Sequence, residues 1–294
     1  MIIQRKISSR AIWNGEENRR KTDLIAYYCE KLNIGMLFYF DDKYPKILLN
    51  CSDPPFLLYF RGNPDVLSGT NVSVVGTRRL TSFGRKAAIE FSYDASMDGV
   101  NVVSGLAIGG DSAAHIGALD AYYDCFEREE DCNKVGRTIA VLPCAADDIV
   151  PSSNKRLAQK IIESGGCLIS EYEPTSQIAN WHFVQRNRII AGLSQSTVVI
   201  EAPVGSGALI TVDYALDMGR DVMFHKVSFN DFAEQISKKS KDELELKYMQ
   251  KKVSKFKVEN SPKKFVDDGA PVIINYKDYC SCLLEIPGRR NITN

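Results

Sequence analysis

The sequence predicts an α/β protein built on a doubly wound, mostly parallel sheet, and three observations predict it. Six short runs rich in apolar and β-branched residues alternate with helical runs of roughly 10–16 residues, the rhythm of strand–helix–strand units. Glycines and polar residues gather where those runs end: Arg78, Ser104 to Gly110, Glu171, Glu201 and Gly205 to Gly207. Ligands of an open parallel sheet bind past the carboxyl ends of its strands, so this placement marks one edge as functional. Finally, 294 residues with 44% hydrophobic and 25% charged content can bury a substantial core.

Taken in order, residues 1–22 are polar with charges of both signs and are expected to pack loosely. From Asp23 an amphipathic helix (Leu24, Ile25, Tyr28, Leu32) leads to an apolar run ending at Phe40, and breakers at 41–45 and 53–55 precede a short strand, Phe56 to Phe60. Residues 1–69 thus read as a lead-in packed on the core. The core, 70–225, opens with a strand at Val72 to Gly76 and a helix from Phe83 that places Phe83, Ala87, Phe91 and Ala95 on one face and stops at Gly99. A second strand and helix occupy 101–123, and the acidic stretch Asp124 to Lys134 is expected to bulge to solvent.

Strand Thr138 to Leu142 and a helix from Pro151 to Glu163 follow, then strand Cys167 to Tyr172 and a helix from Phe183 to Leu193. Strand Thr197 to Ala202, the Gly205-Ser206-Gly207 turn with a helix ending at Gly219, and strand Asp221 to Phe224 complete the core. Residues 226–294 form an extension; its stretch Lys238 to Lys257 reads as a solvated helix, and Phe265 to Ile274 as a last turn and strand.

Net charge is zero but unevenly spread. Residues 1–69 hold 10 basic and 8 acidic groups (+2), residues 70–225 hold 13 and 19 (−6), and residues 226–294 hold 14 and 10 (+4). Any nucleic-acid contact must therefore come from a local basic patch. The eight cysteines are scattered without a C-x-x-C pair, and there are three histidines, so reduced thiols and no metal site are expected. No run approaches the roughly 20 apolar residues that span a bilayer, so no membrane contact and a cytoplasmic address are expected.

The stretch Val102 to His115 carries the most chemistry. Two valines suit a buried strand, and Ser104, Gly105, Gly109 and Gly110 then open an alanine-rich helix. Such a junction leaves backbone N–H groups at the positive end of a helix dipole, a cradle for an anion such as phosphate. The spacing is not G-x-G-x-x-G, and a tight turn that binds nothing is the plain alternative.

With these residues laid out, the chain resembles the DNA-processing protein A family, also called DprA or Smf. The resemblance rests on Tyr44-Pro45, Asp53-Pro54-Pro55, Val74 to Arg78, Ser104 to Ala107 with Gly109, Asp111 and Ala114-His115, Arg186 to Ser194, and Ser206-Gly207 with Leu209 and Thr211. It implies a Rossmann-like core that binds single-stranded DNA, commonly as a homodimer, protects incoming strands in natural transformation and loads the RecA recombinase, with no catalysis and no cofactor. Departures include Gly110 where members commonly have Ile, and His225-Lys226 where Pro-Gly often stands.

On this resemblance, phosphate contacts are expected from Arg78, the Ser104 hydroxyl, and the backbone of Gly105, Ala107, Gly109, Gly110, Ser206 and Gly207, with Asp111 and Thr211 in support. Asn187 is expected to add a phosphate contact, and of Arg186 and Arg188 on either side of it one is expected to grip phosphate while the other pairs with Glu171 or Glu201, two glutamates read as organisers of the arginines. His115 reads as a packing residue rather than a base. Trp181, His182 and Phe183 are candidates for base stacking, and Lys238, Lys239, Lys241, Lys251 and Lys252 for an extended strand path. The alternative of another class is a nucleotide-binding enzyme of the phosphoribohydrolase type, against which stands the lack of a Glu close after the Gly205 turn.

Overall fold

The structure, a computed structural model, describes residues 15–285. Residues 1–14, most of the loosely packed opening expected above, lie outside the described residues. Helix α1 (Gly15–Lys31) begins ahead of the Asp23 start expected, so residues 15–22 are helical rather than loose, and it leads to the antiparallel pair β1 (Gly35–Phe38) and β2 (Leu57–Gly62). Strand and helix then alternate: β3 (Asn71–Val75), α2 (Ser82–Met97), β4 (Asn101–Ser104), α3 (Gly110–Glu127), β5 (Thr138–Leu142), α4 (Lys155–Glu163) and β6 (Cys167–Ser170). Two short helices, α5 (His182–Gln185) and α6 (Asn187–Gly192), precede β7 (Ser196–Val199), α7 (Gly207–Asp217) and β8 (Asp221–His225). The chain closes through α8 (Asp231–Met249), α9 (Lys255–Glu259), α10 (Pro262–Asp267), β9 (Val272–Ile273) and α11 (Tyr276–Glu285).

Local chemistry sets these boundaries. The Thr81 side chain accepts from the Gly84 N–H at the start of α2, Ser206 does the same for Ala208 at α7, and Asn230 caps α8. Gly99, Gly165 and Gly219 follow α2, α4 and α7 with positive φ, the left-handed stop that glycine adopts without strain.

All nine strands join one sheet in the order β1-β2-β6-β5-β4-β3-β7-β8-β9, parallel from β6 to β9, with β2 antiparallel to both β6 and β1. The sheet therefore crosses both expected boundaries, near 69 and 225. The strands of the parallel core are buried throughout, which is why they read as continuous apolar runs rather than alternating ones. Helices cover both faces, with Ala87, Ala88, Phe91 and Ala95 of α2 packed over β3, β4 and β7. Phe265 of α10 stacks on Phe224, and Tyr276 and Tyr279 of α11 close on Phe91. These aromatics lock the C-terminal stretch onto the core.

Three expectations are corrected. Phe83 is 58% exposed, because it sits in the first turn of α2 beyond the sheet and meets Phe232 of α8 instead. The helix expected from Phe183 to Leu193 is interrupted at Arg186 and starts one residue earlier. The acidic stretch does not all bulge out: α3 continues to Glu127 and Cys125 packs with Ala121 and Val135. Among the described residues no helix is long and apolar enough to cross a membrane, and no three potential metal ligands cluster.

Candidate functional site

The order of connection reverses at β3, whose neighbours β4 and β7 lie on opposite sides of it. Past the carboxyl ends of β3 and β7 the loops must diverge, and the crevice between them is where an open α/β sheet binds ligands. A cavity of about 580 Å³ lies there, walled by Thr77, Arg78 and Arg79 after β3, Pro203 to Ala208 after β7, Asn180, Phe183 and Asn187 around α5, and Glu243, Leu244 and Lys247 of α8 with Lys257. The Thr77 N–H donates to the Glu201 carbonyl at 2.7 Å, clamping the two diverging loops at their root.

Arg78 leaves this clamp exposed, with its guanidinium 5.2 Å from the centre of the Phe183 ring. It pairs with no carboxylate among the described residues, so its charge is available to an anion. Across the cleft α7 begins at Gly207, which is exposed and has open space where a β-carbon would stand. Asn187 does not reach into the cleft as a free donor. Its amide holds the Gly207 carbonyl at 3.3 Å, tying α6 to the start of α7, and Thr211 is buried in the wall behind.

The cradle expected at Ser104 to Gly110 is built for the protein itself. Ser104 is fully buried and its hydroxyl donates to the Val74 carbonyl at 2.6 Å, which removes it from any phosphate contact. The Ala107 N–H donates to Asp111 at 3.3 Å, and the Gly110 N–H to the Thr77 carbonyl at 3.0 Å. Gly109 has φ +86 and presses on the Thr77 carbonyl and Arg78 backbone, while Gly110 presses on Gly76. These glycines let the loops after β3 and β4 meet. Gly105 makes room for a side chain: a β-carbon there would overlap the Arg186 guanidinium.

Arg186 is accordingly a floor residue, 4% exposed, with Nη1 donating to the Val141 carbonyl at 2.8 Å and Nη2 3.6 Å from Asp111. Its Nε has no partner among the described residues. Burial pushes the Asp111 carboxyl up, and the Arg186 charge beside it pulls it back. Arg188 is the arginine that pairs with Glu171, at 2.5 Å, as expected of one of the two, and it adds Asp53 at 3.3 Å. Glu201 organises no arginine. It accepts from the Thr81 N–H and hydroxyl at 3.1 and 3.0 Å, closing the N-terminal turn of α2, and burial raises its pKa against those bonds.

His115 is sealed in the core, its Nδ1 2.6 Å from the Thr138 hydroxyl; burial, with Arg186 nearby, pushes its pKa down to about 3. It is the packing residue the sequence reading favoured. His182 is also buried, stacked on Tyr172, whereas Trp181 is 57% exposed and Phe183 faces the cleft under Arg78. Sequence reasoning missed Arg79, Asn180, Lys247 and Lys257 on the wall, and Asp53 beside Arg188. Asp53 stands in the Asp53-Pro54-Pro55 motif, which carries no hint of its partner; the others stand in no motif, and only the chain path brings them there.

A family model described as DNA recombination-mediator protein A matches residues 35–252. The protein Smf of Borreliella burgdorferi is 37% identical over 207 residues, covering 68% of this chain and 62% of that protein. The DNA processing protein DprA of Streptococcus pneumoniae is 41% identical over 182 residues, covering 62% and 59%. The chain thus spans less than two thirds of the length of either relative. Among solved structures, DNA processing protein A of S. pneumoniae superposes with a TM-score of 0.68 at 30% identity over 90% of this chain and 80% of that one. The Helicobacter pylori protein of that name, described with a single-stranded DNA binding mode, gives 0.62 at 23% identity over 85% and 95%, a likeness of fold.

Proposed function

The chain belongs to the DNA recombination-mediator protein A family, and from that premise we propose that it binds single-stranded DNA across the cleft at the β3–β7 switch point. The observation that carries the reading is the unpaired Arg78 guanidinium over Phe183 at the cleft wall. A cation for the phosphate beside an aromatic face for a base is the pairing that sequence-independent single-strand binding requires. The exposed start of α7 at Gly207 adds main-chain donors and a positive dipole end.

The protein acts on this reading as a binder without turnover. The groups that resemble catalytic acids and bases are committed elsewhere: Glu171 to Arg188, Glu201 to Thr81, and His115 to Thr138. By the family resemblance, it protects incoming strands and delivers them to the RecA recombinase as a homodimer, in natural transformation or recombination. A salt titration of a labelled single strand tests the reading. Binding that falls steeply with salt and is alike for all sequences is expected. Saturable binding of a free mononucleotide with release of its base, and no retention of a strand, favours the phosphoribohydrolase-type enzyme and overturns it.

A further inference from the structure

We propose that the excursion between β8 and β9 forms the second flank of this cleft, with Lys247 and Lys257 neutralising backbone phosphates on the β7 side as Arg78 does on the β3 side; this rests on the single-strand reading above. The sequence presents α8 as a solvated helix, and only its Ala233 is buried. Nevertheless it is docked in one register. Ser237 accepts from the Val204 N–H at 3.1 Å, and the Asn260 carbonyl accepts from the Gly205 N–H at 2.8 Å. The Leu244 side chain and the Lys257 backbone crowd Gly205, where φ is +68 and no β-carbon would fit. Asn260 also donates to Asp213 of α7 at 2.9 Å. The excursion is thus pinned to the loop that opens α7.

That register sorts the lysines. Lys241 and Lys255 face Glu245 and Glu259 one turn on, at 3.9 and 3.3 Å. Lys238, Lys239, Lys251 and Lys252 do not line the cavity. Lys247 and Lys257 do line it, are exposed, and pair with no carboxylate among the described residues. With Arg78 and Arg79 they outnumber Glu243, the acid on the wall that pairs with no cation among the described residues. A flexible ammonium is a point charge suited to a phosphate whose position varies with the base.

The test is fluorescence anisotropy of a labelled oligo-dT across a salt series, on the full chain. Replacing both lysines (Lys247→Gln with Lys257→Gln) is expected to make the slope of log K against log salt shallower by about 1.4, at about 0.7 per phosphate contact on a single strand. Lys238→Gln with Lys239→Gln is expected to leave the slope unchanged, and Glu243→Gln to tighten binding at low salt. If the Lys247/Lys257 pair binds with the wild-type slope while Arg78→Ala weakens binding, the proposal fails and the cleft reading stands. Equal losses in both lysine pairs also overturn it, because the charge then acts diffusely. A wild-type chain that retains no strand at any salt overturns both.

Discussion

The Arg186 guanidinium occupies the space a side chain on Gly105 would need. Two positions that read in sequence as halves of a phosphate site are instead partners in the floor beneath it. The arginine is held there by the Val141 carbonyl and by Asp111.

Gly105→Ala is therefore expected to expel Arg186 and leave Asp111 buried without its countercharge, at about 3 kcal/mol or more, and Arg186→Ala to cost about 3–5 kcal/mol. Urea denaturation measures both. In the Arg186→Ala background the alanine at 105 no longer meets a guanidinium, so its added cost is expected to drop below about 1 kcal/mol. Additive losses would separate the two residues.

Arg78 behaves in the opposite way. Among the described residues its exposed side chain is held by the Phe183 ring and by no carboxylate, so Arg78→Ala is expected to change stability by less than about 0.5 kcal/mol. Strand affinity is expected to fall for every sequence tested, with a salt slope shallower by about 0.7. Thermal unfolding and anisotropy on the same variant check both halves.

The glycines divide likewise. Gly109→Ala meets the Thr77 carbonyl at φ +86 and is expected to lose about 2 kcal/mol or more. Gly207→Ala enters open space at the start of α7 and is expected to remain within about 0.5 kcal/mol of wild type or gain slightly. Denaturation midpoints of the two variants decide this.

His115 gives the fold an acid sensitivity of known sign. Its folded pKa, about 3, lies below the ordinary value near 6.5, so the unfolded chain binds its proton first and stability is lost as pH falls from 6.5 toward 3. Between pH 7.5 and pH 5 this single group is expected to remove about 2 kcal/mol. Asp111 and Glu201, whose pKa values are raised by burial, act in the reverse sense at lower pH, since the folded state holds their protons more tightly. His115→Gln is expected to abolish the loss between pH 7.5 and 5, and urea titrations at the two values measure the difference.

The fold class was legible because it depends on local pattern. Valine-rich runs buried on both faces, glycine stops after α2, α4 and α7, and polar residues at strand ends are all written along the chain. The pairing of Arg188 with Glu171 and the packing role of His115 were legible too, the first as a pair to be satisfied and the second as a lone histidine in an alanine-rich helix. What residue types could not declare was which side of a loop faces the cleft. Ser104 and Asn187 have the chemistry of ligands but spend it on the Val74 and Gly207 carbonyls.

By itself, then, the sequence determined a parallel sheet and the edge at which its arginines and glycines gather, since spacing along one strand or helix governs each of these. Only the tertiary structure decided that Arg186 lies under the cleft and Arg78 on its wall, that Glu201 holds Thr81, the cap of α2, and that Lys247 and Lys257 complete the cleft's rim. Those assignments depend on contacts between segments remote in the chain: Gly105 with Arg186, Thr81 with Glu201, Gly205 with Leu244. Whether a charge is buried or free is a property of what packs over it, and no local pattern carries that.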